Sequence, residues 1–476
     1  MVFTTPAFVV FFSLFLWAWF ILRGVQRKWL LLAGSYVFYG SWNPHFLALI
    51  ILSTIIDYSV GRRLDETDDE SLRRRLLYVS VCANLGILAV FKYANFFIDS
   101  ATAGLEALGI SFNTESLEIL LPVGISFYTF QTMSYTVDVY RRTMPACRSP
   151  LDFGIYVAFF PQLVAGPIER AKRLLPQISE LSERSSYDSS GWGLIALGCF
   201  KKVVIADNLA RYVDAVYADP TGVYGPAMWV ATYAFAIQIY CDFSGYSDIA
   251  VGLARILGIQ LIQNFKAPYA AAGPSEFWRR WHISLSTWLR DYLYIGLGGN
   301  RQGAWHTKRN LMLTMLLGGL WHGAAWNFVL WGAWHGGLLI ALRNVRQSAE
   351  YGLLSRIFRT ILFFHFVCLG WALFRAQSLA DCATLFTGML QFWQWDWGVW
   401  LTEARASGAG ADLIIIMGTC LAMLVVQFMY PKGSDQLIAR LWTRAGAVKV
   451  TFVLTLLYVT MLAAPERAPP FIYFQF

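Results

Sequence analysis

The sequence predicts an all-α, polytopic membrane protein. Three observations predict this class: hydrophobic residues make up 57% of the 476 residues, charged residues make up only 14%, and apolar runs recur along the whole chain. Soluble domains carry roughly 25% charged residues, and a helix needs about 20 apolar residues to cross a bilayer. The composition therefore excludes an ordinary soluble globular protein and makes the lipid bilayer its surroundings.

Thirteen apolar runs are long enough to cross or enter a bilayer. They occupy residues 7–22, 29–42, 46–60, 76–98, 117–138, 151–167, 191–206, 226–241, 311–320, 328–342, 357–374, 411–430 and 448–464. The runs at 151–167 and 311–320 are short for a crossing, and re-entrant segments need protein or a water cavity around their backbone. We predict about eleven transmembrane helices and two partial spans.

Basic residues after the first apolar run predict the orientation. Arg23, Arg27 and Lys28 follow this run, whereas residues 1–6 carry no charged side chain. Loops rich in Arg and Lys stay in the cytoplasm, so we expect the N-terminus outside. The first run lacks the flanks of a cleaved signal peptide, and we interpret it as a span. The net charge of +8 lies in such short clusters and indicates topology, not a nucleic-acid partner.

Residues 243–310 are neither a clean span nor a clean loop. Trp and Arg alternate through Trp278, Arg279, Arg280, Trp281 and Arg290. This mixture is typical of helices at the membrane interface, where cations reach toward water and rings lie at the headgroups. We predict a cytoplasm-facing interfacial or re-entrant layer here, within a single domain that spans residues 1–476.

The segment 318–327 places a titratable imidazole, His322, inside apolar sequence. Ionisable groups at membrane depth are costly and indicate function by default; the alternative is a histidine that only hydrogen-bonds a neighbouring helix. A near-copy of the motif contains His335, which we interpret as a packing residue. On one continuous helix the two histidines would lie about 20 Å apart, so they cannot share a metal unless the helix breaks between them.

The sequence lacks the motifs of several other kinds of catalytic and binding site. The seven cysteines contain no C-x-x-C pair, so we predict no disulfide framework and no metal site. A serine elbow, a phosphate-binding P-loop and a dinucleotide-binding glycine motif are also absent from the sequence. A buried imidazole remains suited to general acid–base catalysis near neutral pH.

Two further segments carry polar groups in unusual places. Asp242 and Asp248 end an apolar run, either as a polar wall of a substrate cavity or as helix-end hydrogen-bonding groups. Residues 465–476 form an aromatic tail after a proline, which should insert at the membrane surface or back into the protein because it is too apolar for water. Tyr473 carries the reactive hydroxyl of this tail; the alternative is an aromatic-belt anchor.

Five segments together resemble the membrane-bound O-acyltransferase family. They are residues 92–96, 122–127, 242–248, 278–291 and 319–323. The nearest branch is the alginate O-acetylase membrane subunit, with relatives in cellulose and peptidoglycan acetylation and teichoic-acid D-alanylation. The resemblance implies a ring of tilted helices around a thinned centre, crossed by a tunnel, in the bacterial inner membrane.

The resemblance also implies catalytic residues. His322 matches the invariant histidine of the family, and His282, 40 positions earlier, matches its second histidine or asparagine. The implied reaction is acyl transfer from a cytoplasmic thioester, acetyl-CoA in the acetylase branch, which is a substrate and not a bound cofactor. His322 would act as general base or form a transient acyl-histidine, and His282 would orient it or polarise the thioester carbonyl. Tyr473 resembles the tyrosine of an acyl relay.

The implied partner is a periplasmic or membrane-anchored polysaccharide O-acetyltransferase, and the final acceptor is open. The substrate-binding candidates combine cations for the phosphates of acetyl-CoA with rings and carboxylates: Arg279, Arg280, Arg290, Trp281, Trp321, Asp242 and Asp248. Rival functions are transport or flipping of a lipid-linked glycan, D-alanyl or peptidoglycan acyl transfer, and a scaffold that only anchors the partner. Release of free CoA would separate acyl transfer from transport.

Overall fold

The structure, a computed structural model, is mainly helical in the residues that it describes. The described residues are 1–110, 117, 119–164, 166–181, 187–343, 352–394, 398, 413–465 and 471–472. No strand occurs within them, so the all-α prediction is confirmed. They form two compact units, Met1–Ser189 with Leu253–Ile262, and Ser190–Gly252 with Gln263–Phe476. The single domain over residues 1–476 stays a prediction.

The first unit contains nine helices in its described residues. They are α1 Pro6–Ile21, α2 Val25–Gly40, α3 Leu47–Glu66, α4 Glu70–Leu88, α5 Ala94–Ala107, α6 Ile125–Tyr140, α7 Pro150–Ala158, α8 Phe160–Leu163 and α9 Ala171–Glu180. Side-chain caps start several of them: Thr5 accepts from the Phe8 amide and Ser149 from the Asp152 amide. The predicted partial span at 151–167 is a helix broken at Phe159; its re-entrant path stays a prediction.

The core of the first unit contains a polar network between α3, α4 and α6. Asp57 accepts hydrogen bonds from Ser80 at 2.5 Å and Asn84 at 2.8 Å, and Ser80 contacts Thr136 at 2.9 Å. All four side chains are buried. Because an unpaired polar group in an apolar interior is costly, this network fixes how the three helices pack.

The second unit contains the remaining helices. They are α10 Ser190–Cys199, α11 Asp207–Ala218, α12 Pro226–Ile256, α13 Pro274–Trp278, α14 Ile283–Trp288, α15 Ala304–His322, α16 Trp326–Ala341, α17 Leu353–Arg375, α18 Leu379–Leu390, α19 Leu413–Met429, α20 Ser434–Trp442 and α21 Gly446–Leu462. The last residues of α12 belong to the first unit. Helix α12 continues well past residue 243, so the predicted interfacial layer begins inside a helix. Short helices and turns follow, and the layer's place at the membrane stays a prediction.

Three helical segments in the described residues are long and apolar enough to cross a membrane: Pro44–Glu66, Glu70–Ala107 and Leu353–Arg375. A bent pair, Ile415–Met429 with Ser434–Trp442, would add a fourth. Several predicted spans are divided by π-helical turns or breaks into shorter helices. The structure therefore contains several helices that could cross a membrane. The count of eleven stays a prediction.

Helices α15 and α16 form a tight antiparallel hairpin in the second unit. The predicted partial span at 311–320 is the C-terminal half of α15, which begins at Ala304. A Cβ atom at Gly319 would overlap the Phe328 carbonyl oxygen, and one at Gly332 would overlap that of Met315. Glycine at these positions allows the two backbones to approach closely, and this approach fixes the end of α15.

Candidate active site

His322 is the last residue of α15. The next residue, Gly323, takes an extended conformation (φ −155°, ψ 147°), and α16 starts three residues later at Trp326. The helix therefore breaks directly after His322, whose side chain is only 4% exposed. A buried imidazole at a helix end lies at a fixed point of the hairpin, as a positioned catalytic group requires.

Three aromatic rings surround His322 edge to face. The ring centroids of Trp321, Trp331 and Phe374 lie 5.1, 5.0 and 5.4 Å from that of the imidazole. Trp331 comes from α16 and Phe374 from α17, so three helices define the site. The imidazole of His322 therefore lies in a largely aromatic surrounding.

His282 lies beside His322 although 40 positions separate them. Their ring centroids are 6.4 Å apart, and Trp321 contacts both rings, at 6.0 Å from His282. His282 is completely buried and packs edge to face against Phe243 at 4.7 Å. His282 and His322, which the resemblance pairs, are thus close together in the structure, within one compact unit.

The backbone of His282 has a rare conformation. Its φ is +42°, in the left-handed region that most side chains avoid. Asn264 holds the following turn, because its carbonyl accepts from the Ile283 amide at 3.0 Å and its side chain accepts from the Ser284 hydroxyl at 2.6 Å. Burial lowers the pKa of His282 to about 3, so this residue is neutral at pH 7.

A cavity of about 330 Å³ opens onto His322. Trp331, Arg290 and Arg343 are among its lining residues, together with the polar side chains of Ser275 and Ser286. Arg290 is largely exposed and its Nε lies 2.7 Å from the Asp291 carboxylate. The cavity therefore combines an imidazole in an apolar wall with two guanidinium groups.

The other two predicted arginines lie on a second cavity. Arg279 and Arg280 line a space of about 420 Å³ that does not include His322. Arg280 also forms an ion pair of 2.6 Å with Glu276. The sequence placed the three cations in one group, whereas the fold distributes them over two cavities of the second unit.

The predicted carboxylates lie in ion pairs, that of Asp242 buried and that of Asp248 partly buried. Asp242 is 2.8 Å from the Nζ of Lys202, which also contacts Asp207 at 2.7 Å. Asp248 pairs with Lys201 at 2.7 Å and accepts from the Ser434 hydroxyl at 2.7 Å. Neither carboxylate lines the His322 cavity. The structure favours their helix-bonding alternative, and their contact with substrate stays a prediction.

The start of the aromatic tail folds back into the second unit. Phe471 and Ile472 are buried, and the Ile472 amide donates to Asp242 at 2.8 Å. The Phe471 ring lies 6.1 Å from that of Phe243, which contacts His282. Of the two expected positions, membrane surface or protein interior, these two residues occupy the interior. Tyr473 lies outside the described residues.

The two predicted tryptophans have different places. Trp321 belongs to the site, whereas Trp281 packs in the core against Phe265, Tyr269 and Trp371, away from the His322 cavity. Sequence reasoning missed Trp331 and Phe374. The repeated Gly-x-Trp-His-Gly motif is a sequence signal near Trp331, which directly precedes its second copy. Phe374 has no such signal because it belongs to α17, which is distant in sequence from His322.

His335 lies one ring beyond the site. The Trp331 ring separates the two motif histidines, at 5.0 Å from His322 and 4.8 Å from His335. His335 is completely buried, stacked on Phe277 at 6.0 Å, and does not line the His322 cavity. The helix does break between the histidines, yet the intervening indole keeps them from acting as a pair.

The region that contains these residues matches a known protein family. The model of the membrane-bound O-acyltransferase family matches residues 46–380, which include both His282 and His322. A probable alginate O-acetylase of Pseudomonas putida is 39% identical over the full length of both chains. That of Pseudomonas aeruginosa is 40% identical over 90% of this chain and 82% of its own.

A peptidoglycan O-acetyltransferase of Helicobacter pylori is also similar, with 34% identity over 82% of this chain and 80% of its own. Relatives at such identity and coverage, and a family match over more than half of the residues, leave no ambiguity about the class. The chain is an enzyme that belongs to the membrane-bound O-acyltransferase family.

Proposed function

We propose that this protein transfers an acetyl group from cytoplasmic acetyl-CoA across the inner membrane for O-acetylation of an extracytoplasmic polysaccharide. The observation that carries this proposal is His322, buried on the wall of a cavity with His282 beside it, inside the region that matches an acyltransferase family. The similarity to probable alginate O-acetylases over the whole chain favours an alginate-like exopolysaccharide.

His322 is the general base of the proposed reaction. Its neutral imidazole takes the proton of an acceptor hydroxyl, whose oxygen attacks the thioester carbonyl. The C–S bond then breaks, an ester forms, and the thiolate leaves with the proton that the imidazole returns. Positioned bases of this kind contribute typically 10²- to 10⁴-fold to the rate. A transient acyl-histidine is the alternative path.

His282 positions this chemistry. It is neutral because burial lowers its pKa, so it acts as a hydrogen-bonding or packing partner and not as a cation. It orients His322 through the shared Trp321 contact, or polarises the carbonyl of the thioester. Its fixed left-handed backbone supports a positioning role.

Tyr473 is the proposed first acceptor of the acetyl group. The described part of the tail supports this idea, because Phe471 contacts Phe243 and Phe243 contacts His282. An acetyl-tyrosine would then pass its acyl group to a periplasmic or membrane-anchored O-acetyltransferase, which completes delivery to the polymer. The proposed orientation has the N-terminus outside and the donor entrance, with its arginines, in the cytoplasm.

Paired glutamine substitutions test the base. We expect His322→Gln to lower the acetyl content of the polysaccharide at least about 100-fold at equal membrane expression. His335→Gln is the matched control, since it removes a buried imidazole from the same hairpin without touching the cavity, and it should retain acetylation per folded molecule. Retention of most acetylation by His322→Gln would reject the assignment.

The polymer is tested separately. Acetyl groups should be lost from the alginate-like polymer, and not from peptidoglycan, when the gene is deleted. The peptidoglycan O-acetyltransferase among the relatives makes this the relevant comparison. Loss from peptidoglycan alone would move the proposal to that acceptor while leaving the chemistry of His322 in place.

A further inference from the structure

A second cavity of the second unit carries an unusual concentration of positive charge. Its volume is about 420 Å³, and four guanidinium groups line it: Arg279, Arg280, Arg343 and Arg359. Glu276 is the one carboxylate among its described lining residues. We name this space the arginine pocket; its described lining residues carry four positive charges and one negative charge.

The single carboxylate is already shared. The Glu276 oxygen Oε1 lies 2.6 Å from Arg280 and 3.9 Å from Arg356. Arg356 lies on the same face of α17 as Arg359, three positions away. Glu276 is therefore divided between Arg280, which lines the pocket, and Arg356. Guanidinium groups favour phosphate because their planar array of N–H donors can bind two oxygens at once.

The arginine pocket also has apolar lining residues. Leu362, Phe363 and Phe366 line it from α17, which is one of the segments long enough to cross a membrane. Arg359 lies six residues from the start of this helix, which is about 9 Å along its axis. Charged and apolar lining residues at one end of a possible span fit a ligand that has both an anionic head and an apolar body.

The arginine pocket is next to the His322 cavity. Ser275 and Arg343 line both spaces. A ligand held by its phosphates among the arginines can therefore reach toward the catalytic cavity along these two residues. Neither Arg343 nor Arg359 belongs to the Trp- and Arg-rich segment that the sequence singled out.

We propose that the arginine pocket binds the phosphate groups of an anionic ligand, with Arg343 and Arg359 as the added phosphate-binding residues. Two ligands carry this chemistry. One is the nucleotide part of the thioester donor, and in that case the inference rests on the proposed function. The other is the headgroup of an anionic phospholipid, whose chains would lie along α17.

Binding of two probes to purified full-length protein in a nonionic detergent tests the pocket. The probes are CoA, measured by titration calorimetry, and phosphatidylglycerol against phosphatidylcholine, measured by native mass spectrometry. The test variant is Arg343→Gln with Arg359→Gln. The matched control is Arg301→Gln with Arg444→Gln, which also removes two positive charges, at residues outside both cavities.

We expect the test variant to bind at least one probe roughly 100-fold more weakly, since it lacks two guanidinium groups and hydrogen bonds to charged groups are worth about tenfold each. The control should stay within about twofold, and binding should weaken with added salt. Loss of CoA alone assigns the donor, and loss of phosphatidylglycerol alone assigns the lipid. Equal binding by test and control variants, or no binding of either probe by the wild type, overturns the inference.

Failure of this inference and failure of the proposed function are distinguishable. His322→Gln should retain wild-type binding of both probes, because His322 does not line the arginine pocket. If the arginine variant bound both probes normally while His322→Gln was inactive, the arginine pocket would be rejected and the proposed function would stand. The single variant Arg343→Gln, at an exposed residue, provides a milder test if the double variant gives little folded protein.

Discussion

At the scale of the residue, the left-handed backbone of His282 restricts what can replace it. Asparagine visits this conformation readily, whereas a β-branched side chain at a positive φ is strained. We expect His282→Asn to give near-normal amounts of folded protein and His282→Val to give several-fold less, as seen by size-exclusion chromatography. Equal yields of the two would show that the φ of +42° does not constrain this position.

The protonation of His282 sets a pH dependence of stability. Its pKa of about 3 in the folded protein lies below the ordinary value of 6.5. Between these values the unfolded chain binds a proton that the folded chain does not, so the free energy of unfolding falls as the pH drops below about 6.5. His282→Asn should remove this contribution, so the melting temperature of this variant should fall less than that of the wild type when the pH is lowered from 7.5 to 5. A parallel fall in both proteins would contradict the assigned shift.

The pairing of Lys202 with two carboxylates gives the largest expected change in stability. Lys202 lies between Asp207 and Asp242, and Asp242 also holds the Ile472 amide of the tail. Removing the cation leaves two buried carboxylates without their charge partner, which costs about 3–5 kcal/mol. Lys202→Met should therefore lower the melting temperature strongly, while Lys432→Met, at an exposed lysine, should change it little. A mild effect of Lys202→Met would mean that these carboxylates are neutral.

At the scale of the element, the hairpin of α15 and α16 depends on its glycines. A methyl group at Gly332 would overlap the carbonyl of Met315, and nothing lies within 4 Å of the corresponding position at Gly337. We expect Gly332→Ala to separate the helices, shift His322 and reduce acetylation at least about tenfold, since small misplacements of catalytic groups have large effects. Gly337→Ala should be close to wild type. Equal activity of the two variants would show that the close approach is not required.

The elements also show where sequence reasoning succeeds and fails. The break after His322 follows from local signals, because Gly323 and the repeated motif lie in sequence beside the histidine. The apolar run ends at residue 241, but helix α12 continues to Ile256. It can continue because Asp242 pairs with Lys202, and Asp248 with Lys201, inside the fold. Charges that look like a helix end in sequence are tolerated within a helix when tertiary contacts pair them.

At the scale of the whole molecule, the class of the protein follows from composition, and the family from combined motifs. Composition predicted an all-α membrane protein, and five segments pointed to the acyltransferases; both predictions are confirmed. The distribution of Arg279, Arg280 and Arg290 over two cavities could not be predicted, because it depends on how α13, α16 and α17 pack. For the same reason the sequence did not indicate the positions of four other residues at these cavities: Trp331, Phe374, Arg343 and Arg359.

The most direct measurement of the central claim is transfer of labelled acetyl from acetyl-CoA by the purified protein, with free CoA measured in the same reaction. We predict that the wild type releases one CoA for each acetyl group that appears on Tyr473 or on the added partner. His322→Gln should show neither CoA release nor acetyl transfer, while His335→Gln should retain both. CoA release that is unchanged in His322→Gln, or no release by the wild type with partner and acceptor present, would contradict this prediction.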